Sequence, residues 1–108
     1  MWSVKAICVT LCLGSVSASA ATRLACPVTL VDAGTRHTLI NASLYDGPPE
    51  QEADLVPEPA GRVDRWDLDG VDPYLVCKYK DTTKTITLHA KTQKVCEAGK
   101  RPFQAYCR

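Results

Sequence analysis

Four cysteines, Cys26, Cys77, Cys96 and Cys107, constrain this chain more than any other feature, because of the segment that precedes them. Residues 1–20 carry Lys5, run through the apolar stretch "AICVTLCLG" and end in Ala18-Ser19-Ala20, the pattern of a cleavable secretory signal. Cleavage is expected after Ala20. The apolar stretch is shorter than the roughly 20 residues of a membrane-spanning helix, and no later stretch replaces it, so no membrane anchor is expected after cleavage. A lipid-anchor motif is not met either, since Cys8 and Cys12 follow Ile7 and Leu11, and Cys26 has Arg23 three positions upstream.

Export changes the meaning of the cysteines. Residues 21–108 are enough for one domain, which at this size buries only about 60 to 65% of its unfolded surface and so needs staples. An even number of cysteines in such a chain reads as two disulfides. Zinc would need a Cys-x-x-Cys knuckle, which is absent, and neither His37 nor His89 stands at ligand spacing, so no metal or cofactor is expected. Pairing Cys77 with Cys96 and Cys26 with Cys107 is favoured. It ties the central hairpin to the last one and fastens both chain ends, whereas Cys96 and Cys107 are not symmetric about a turn at "GKRP".

Strand patterns dominate residues 21–108. "CPVTLVDA" and "HTLINASLY" form a first pair broken at Gly34; "PYLVCKYK" and "TITLHAK" flank "DTTK" as a hairpin; "KVCEA" and "FQAYCR" close the chain as another. In "RVDRWDLDG", Trp66 and Leu68 share a face suited to burial. No window shows helical spacing with caps. The expected fold is all-β, mainly antiparallel, with about six or seven strands in a small sandwich or half-open barrel. The stretch "YDGPPEQEADLVPEPAG", residues 45–61, reads as an extended loop, because Pro48, Pro49, Pro57 and Pro59 withhold backbone donors.

Charge is uneven along the chain. Asp32 to Asp72 holds ten acids against three arginines, and Lys78 to Arg108 holds eight bases against two acids. The halves either neutralise each other across the fold or leave an acidic element for a basic protein partner. With basic and acidic residues otherwise balanced, nucleic acid is not an expected partner.

Catalytic chemistry is poorly supplied. Ser43 lacks a glycine elbow, the cysteines are expected to be oxidised, and only His37 and His89 provide imidazoles. Acids crowd Trp66, but Asp67 and Asp69 lie on the strand face opposite it. "DLDGVD" departs from a calcium loop, with Gly70 too early and no closing glutamate. No catalytic residue is assigned.

The "CP" of Cys26-Pro27, "SLYDGPPE", "WDLDG", "YLVCKYKDTTKTITL" and the two late cysteines together resemble a family of small bacterial periplasmic proteins, known by locus tags and encoded near type VI secretion loci. The resemblance spans Cys26 to Cys107 and implies no enzymatic activity. It implies immunity: a periplasmic protein that occludes the active site of a cell-wall-targeting effector, an L,D-transpeptidase-like enzyme or a hydrolase. An inhibitor of host lysozyme is the runner-up, though the serine-glycine loop of such inhibitors is missing; a structural or stress-related periplasmic role is a further alternative. For an inhibitor, the contact residues expected are Tyr45, Asp46, Pro48, Pro49 and Glu50, with Trp66 as a second anchor if it is exposed rather than core.

Overall fold

The computed structural model describes residues 23–108, and the expected signal segment lies outside the described residues. Ten strands follow one another: β1 (Leu24–Ala25), β2 (Thr29–Asp32), β3 (Thr35–Asp46), β4 (Asp54–Leu55), β5 (Glu58–Ala60), β6 (Val63–Asp67), β7 (Pro73–Tyr79), β8 (Thr85–His89), β9 (Val95–Gly99) and β10 (Gln104–Cys107). Seven of these have four residues or more, and β1, β4 and β5 are short additions to sheet edges. All pairings are antiparallel. One sheet runs β1-β10-β9-β6-β5; the other runs β2-β3-β7-β8, with β4 also on β3. The fold class is therefore the one the strand patterns predict.

The two sheets close over a single core because each strand alternates. Leu39, Ala42 and Leu44 of β3 and Leu75, Cys77 and Tyr79 of β7 meet Trp66 of β6, Cys96 and Ala98 of β9, and Ala105 and Cys107 of β10. On β3 the buried positions are three apart and then two. The register against β7 slips between Leu39 and Asn41, so Ile40 is an extra residue that resets which side chains face inward. Leu44 and Leu75 are fully buried, and each contributes about 2–3 kcal/mol by leaving water.

The first hairpin turns on Ala33 and Gly34, both with positive φ (52° and 77°), between the paired residues Asp32 and Thr35. That is a two-residue turn of the kind whose twist matches the strands it joins. At the far end, β9 stops at Gly99, with φ of 143°. A Cβ there would stand 2.7 Å from the Arg62 carbonyl oxygen. Gly99 is thus required by the close approach of β6.

Two expectations are corrected. The disulfides are Cys26–Cys77 and Cys96–Cys107, not Cys77 with Cys96 and Cys26 with Cys107. The last hairpin pairs Gly99 with Gln104, so its turn is Lys100–Phe103, one residue later than "GKRP", and Cys96 falls directly opposite Cys107. Arg108 N–H donates to the Val95 carbonyl and Val95 N–H to the Arg108 carbonyl. The neighbouring cysteine pair therefore occupies a non-hydrogen-bonded site, where facing residues are closest; their Cα atoms are 4.0 Å apart. Cys26–Cys77 joins the segment after β1 in one sheet to β7 in the other, and Tyr79 OH donates to the Pro27 carbonyl beside it at 2.7 Å.

The second correction concerns residues 45–61, which are not one extended loop. β3 continues to Asp46, a 3₁₀ turn spans Pro49–Gln51, β4 returns alongside β3, and β5 joins β6 in the opposite sheet. Prolines withhold donors only at their own positions. Between them Asp54 pairs with Tyr45 and Leu55 with Leu44. Trp66 holds this return in place, its indole N–H donating to the Leu55 carbonyl at 2.9 Å.

Candidate partner interface

The outward face of the β3-β7-β8 sheet is built by the residues that alternate with the core. Ser43 and Tyr45 project from β3, Tyr74, Val76 and Lys78 from β7, and Thr85, Thr87 and His89 from β8, with Val76 itself buried among its neighbours. Register places Tyr45 opposite Tyr74 and Tyr74 opposite His89, with Asp54 on the other side of Tyr45. One row across four strands thus reads Asp54, Tyr45, Tyr74, His89. The Tyr74 and His89 rings stack with centroids 4.1 Å apart and planes 10° from parallel.

Carboxylates and turn backbone fix this row at its end. His89 Nε2 donates to Asp72 Oδ1 at 2.7 Å, Asp72 N–H donates to Asp46 Oδ1 at 2.9 Å, and Gly47 N–H donates to the Asp72 carbonyl at 2.7 Å. The turn after β3 and the turn before β7 are therefore bonded into one rim, which sets the position of the imidazole. The rim stays wet, with the His89 and Asp72 side chains 37% and 53% exposed.

Five of the six expected contact residues meet here. Tyr45 is half-buried on the face, Asp46 is exposed at the end of β3, Pro48 and Pro49 are half-buried, and Glu50 is exposed on the 3₁₀ turn. Trp66 does not lie on this face: it is 6% exposed within the core and touches the return strand through its N–H. Asp72, Tyr74 and His89 adjoin them on the same face and rim but escape a strand-by-strand reading. A four-residue turn at "DTTK" would pair Lys80 with Thr85 and so set Tyr74 opposite Lys91; the observed connection is longer and pairs Lys78 with Thr85, which is what brings Tyr74 opposite His89.

The His89–Asp72 pair raises the question of catalysis. Ser43 is in register with Val76, and Val76 with Thr87, so the whole of β7 lies between Ser43 and the strand of His89. Two strand spacings amount to about 10 Å, beyond hydrogen-bond reach. Cys26, Cys77, Cys96 and Cys107 are in disulfides and supply no thiolate. The arrangement suits contact and orientation rather than nucleophilic attack. His37 lies elsewhere, its Nδ1 donating to the Lys80 carbonyl at 2.8 Å.

Charge on the two halves is not cancelled by direct pairing. Among the described residues, Lys84–Asp32 at 3.3 Å is the lysine or arginine ion pair that joins an acid of 32–72 to a base of 78–108. Asp46, Glu50 and Asp54 keep an acidic border beside the aromatic row.

A second polar cluster occupies the outward face of the other sheet and has a different character. Glu97 is buried, and its carboxylate accepts from Tyr106 OH at 2.6 Å, Arg65 Nε at 2.9 Å and Arg108 at 3.3 Å. The hydrogen bonds from Tyr106 and Arg65, reinforced by the two guanidinium charges, hold its pKa below the usual carboxylate range despite burial. The same bond pushes the Tyr106 phenol up. Arg23 lies over the Tyr106 ring at 3.8 Å. The buried carboxylate and the Tyr106 hydroxyl find their partners within the cluster, as a structural network does.

No curated protein and no solved structure matches the chain. A family profile does match, over residues 34–108, from the first turn to the last residue and including every strand of the aromatic row. With most of its length covered in this way, the chain belongs to the type VI secretion system Tli immunity protein family.

Proposed function

We propose that this protein acts in the periplasm as the immunity partner of an envelope-acting effector, binding it through the Tyr45, Tyr74 and His89 row and occluding its active site. Membership of an immunity family implies an effector protein as partner. Two disulfides suit an oxidising compartment. The observation that carries the reading is the row itself: half-exposed aromatic rings held by the Asp72 rim, on a sheet face bordered by carboxylates. Rigid aromatic side chains contribute large contact area with little rotamer entropy to lose, and the acidic border speeds encounter with a basic enzyme. Asp46, Pro48, Pro49 and Glu50 extend the contact from the turn beside the row, and Trp66 acts from beneath by holding β4. Function is by binding, not by turnover.

A peptidoglycan enzyme is the target class that the sequence resemblance favours. The test is periplasmic co-expression with the effector encoded beside the gene, in a susceptible host, followed by purification of the complex. Rescue of growth together with a stable complex is expected, and Tyr74→Ala should weaken that complex about tenfold or more while costing the fold only about 1 kcal/mol through the lost stack on His89. Altered muropeptides in unprotected cells support the wall as target; intact muropeptides with degraded phospholipids move the target to the membrane. No rescue and no complex would sink the immunity reading for this pair.

A further inference from the structure

The free edge of β8 borders the aromatic row, and we infer that it receives an extended, carboxylate-bearing segment of the effector as an added strand; this rests on the face assigned above. Ala90 N–H donates to the Pro73 carbonyl. Backbone direction alternates along an antiparallel strand, so Leu88 and Ile86, opposite Leu75 and Cys77, also face β7. The N–H and C=O groups of Thr85, Thr87 and His89 therefore point away from the sheet. β8 pairs with β7 alone among the described strands, which leaves three donor-acceptor sets for a partner strand. Their side chains are those of the outward face, so an added strand would extend the row Tyr45, Tyr74, His89 by one more residue.

β8 is the longest of the edge strands and carries no protection along its length. β5 carries Pro59 and spans three residues, β1 spans two, and β2 spans four and ends on Asp32; β8 has five residues with no proline, bulge or inward charge. Charge is confined to its ends and flank: Lys91, the neighbouring Lys78 opposite Thr85, Lys84, which also pairs with Asp32 at 3.3 Å, and Asp72, which is bonded to His89. Those lysines decide the occupant. If two copies paired antiparallel about Thr87, Lys84 of each would approach Lys91 of the other, a like-charge contact that disfavours self-pairing. A segment with carboxylates toward its ends meets the same lysines favourably, with main-chain bonds supplying affinity and side chains register.

The test uses the purified chain and the effector from the neighbouring gene. Thr87→Pro removes one outward N–H without breaking the ladder to β7 and should reduce affinity about 30-fold, whereas Thr87→Ala should stay within about threefold. Lys78→Glu with Lys91→Glu should slow association severalfold at low salt, an effect that fades at high salt. In the wild-type complex, the amides of Thr85, Thr87 and His89 should gain protection from hydrogen exchange, a readout that stands if the proline variant misfolds. Unchanged exchange at those amides overturns the inference. Loss of binding in Tyr74→Ala but not in folded Thr87→Pro keeps the aromatic face and removes the added strand. A wild-type dimer dissociated by Thr87→Pro assigns the edge to a second copy and likewise overturns the inference.

Discussion

Replacing Glu97 by Gln separates the face that stabilises the fold from the face proposed to bind. The carboxylate is buried and accepts from Tyr106 OH at 2.6 Å and from Arg65 at 2.7 and 2.9 Å, with Arg108 at 3.3 Å. The Tyr106 bond is buried and charge-assisted, worth about 1.5–3 kcal/mol. The arginine side chains are 49% and 52% exposed, so solvent screens them and each adds at most about 1 kcal/mol. The amide keeps the shape and one acceptor oxygen but presents an N–H₂ to groups that are themselves donors. A loss of about 2–3 kcal/mol is expected, or roughly 10–20 °C in midpoint for a domain of this size.

The pH dependence supplies the sharper test. Glu97 has a folded-state pKa below its unfolded value, so between the two the unfolded chain binds more protons. Its stabilisation is fully present above the unfolded pKa of about 4.3 and is lost as pH falls through the folded pKa. Urea melts between pH 7 and pH 2.5 should show wild-type stability falling in that acid range, and Glu97→Gln should be flatter there, the two curves converging at the low end. Parallel curves would refute the assignment of a charged, network-held Glu97. Effector binding by the folded variant should be unchanged near neutral pH, because the cluster lies on the opposite sheet from the aromatic row.

The two disulfides should differ in value with the loops they close. Cys26–Cys77 spans 51 residues and Cys96–Cys107 spans 11, so loop-closure entropy gives about 4 and about 3 kcal/mol respectively; paired Cys→Ser variants compared by denaturant melts should preserve that order. Ala33→Asn should stabilise by about 0.5–1 kcal/mol, because Ala33 holds φ of 52° in a turn where asparagine is favoured, and calorimetry reads the rise. Gly99→Ala should cost about 1–3 kcal/mol from its backbone conformation alone, before any movement of Arg62, measured as a lower urea midpoint.

Alternation made the core legible from sequence. Trp66, Leu68, Leu75, Cys77 and Tyr79 are buried as their period-two spacing predicts. The same rule could not place Ile40, because a bulge depends on which strands pair on each side of β3 and not on the residues of β3 itself. Disulfide pairing failed for a related reason: a one-residue displacement of the Lys100–Phe103 turn decides whether Cys96 faces Cys107, and local turn propensity does not fix register that finely. Proline content misrepresented residues 45–61, since Asp54 and Leu55 recover strand pairing between prolines once Trp66 gives the return something to bind.

The candidate interface was legible only in part, and the missing part follows from how it is made. Tyr45, Asp46 and Glu50 could be singled out because they are close in sequence and carry aromatic and acidic character together. Asp72, Tyr74 and His89 acquire their roles through lateral neighbours: Asp72 bonds Asp46 across 26 positions, and His89 meets Tyr74 only once β7 and β8 pair. Opposite residues on paired strands interact as a unit, so a sheet-face site is a property of register before it is a property of any one strand. The position beyond His89 at the free edge is supplied by none of the described strands, and the proposed added strand gives that position to the effector.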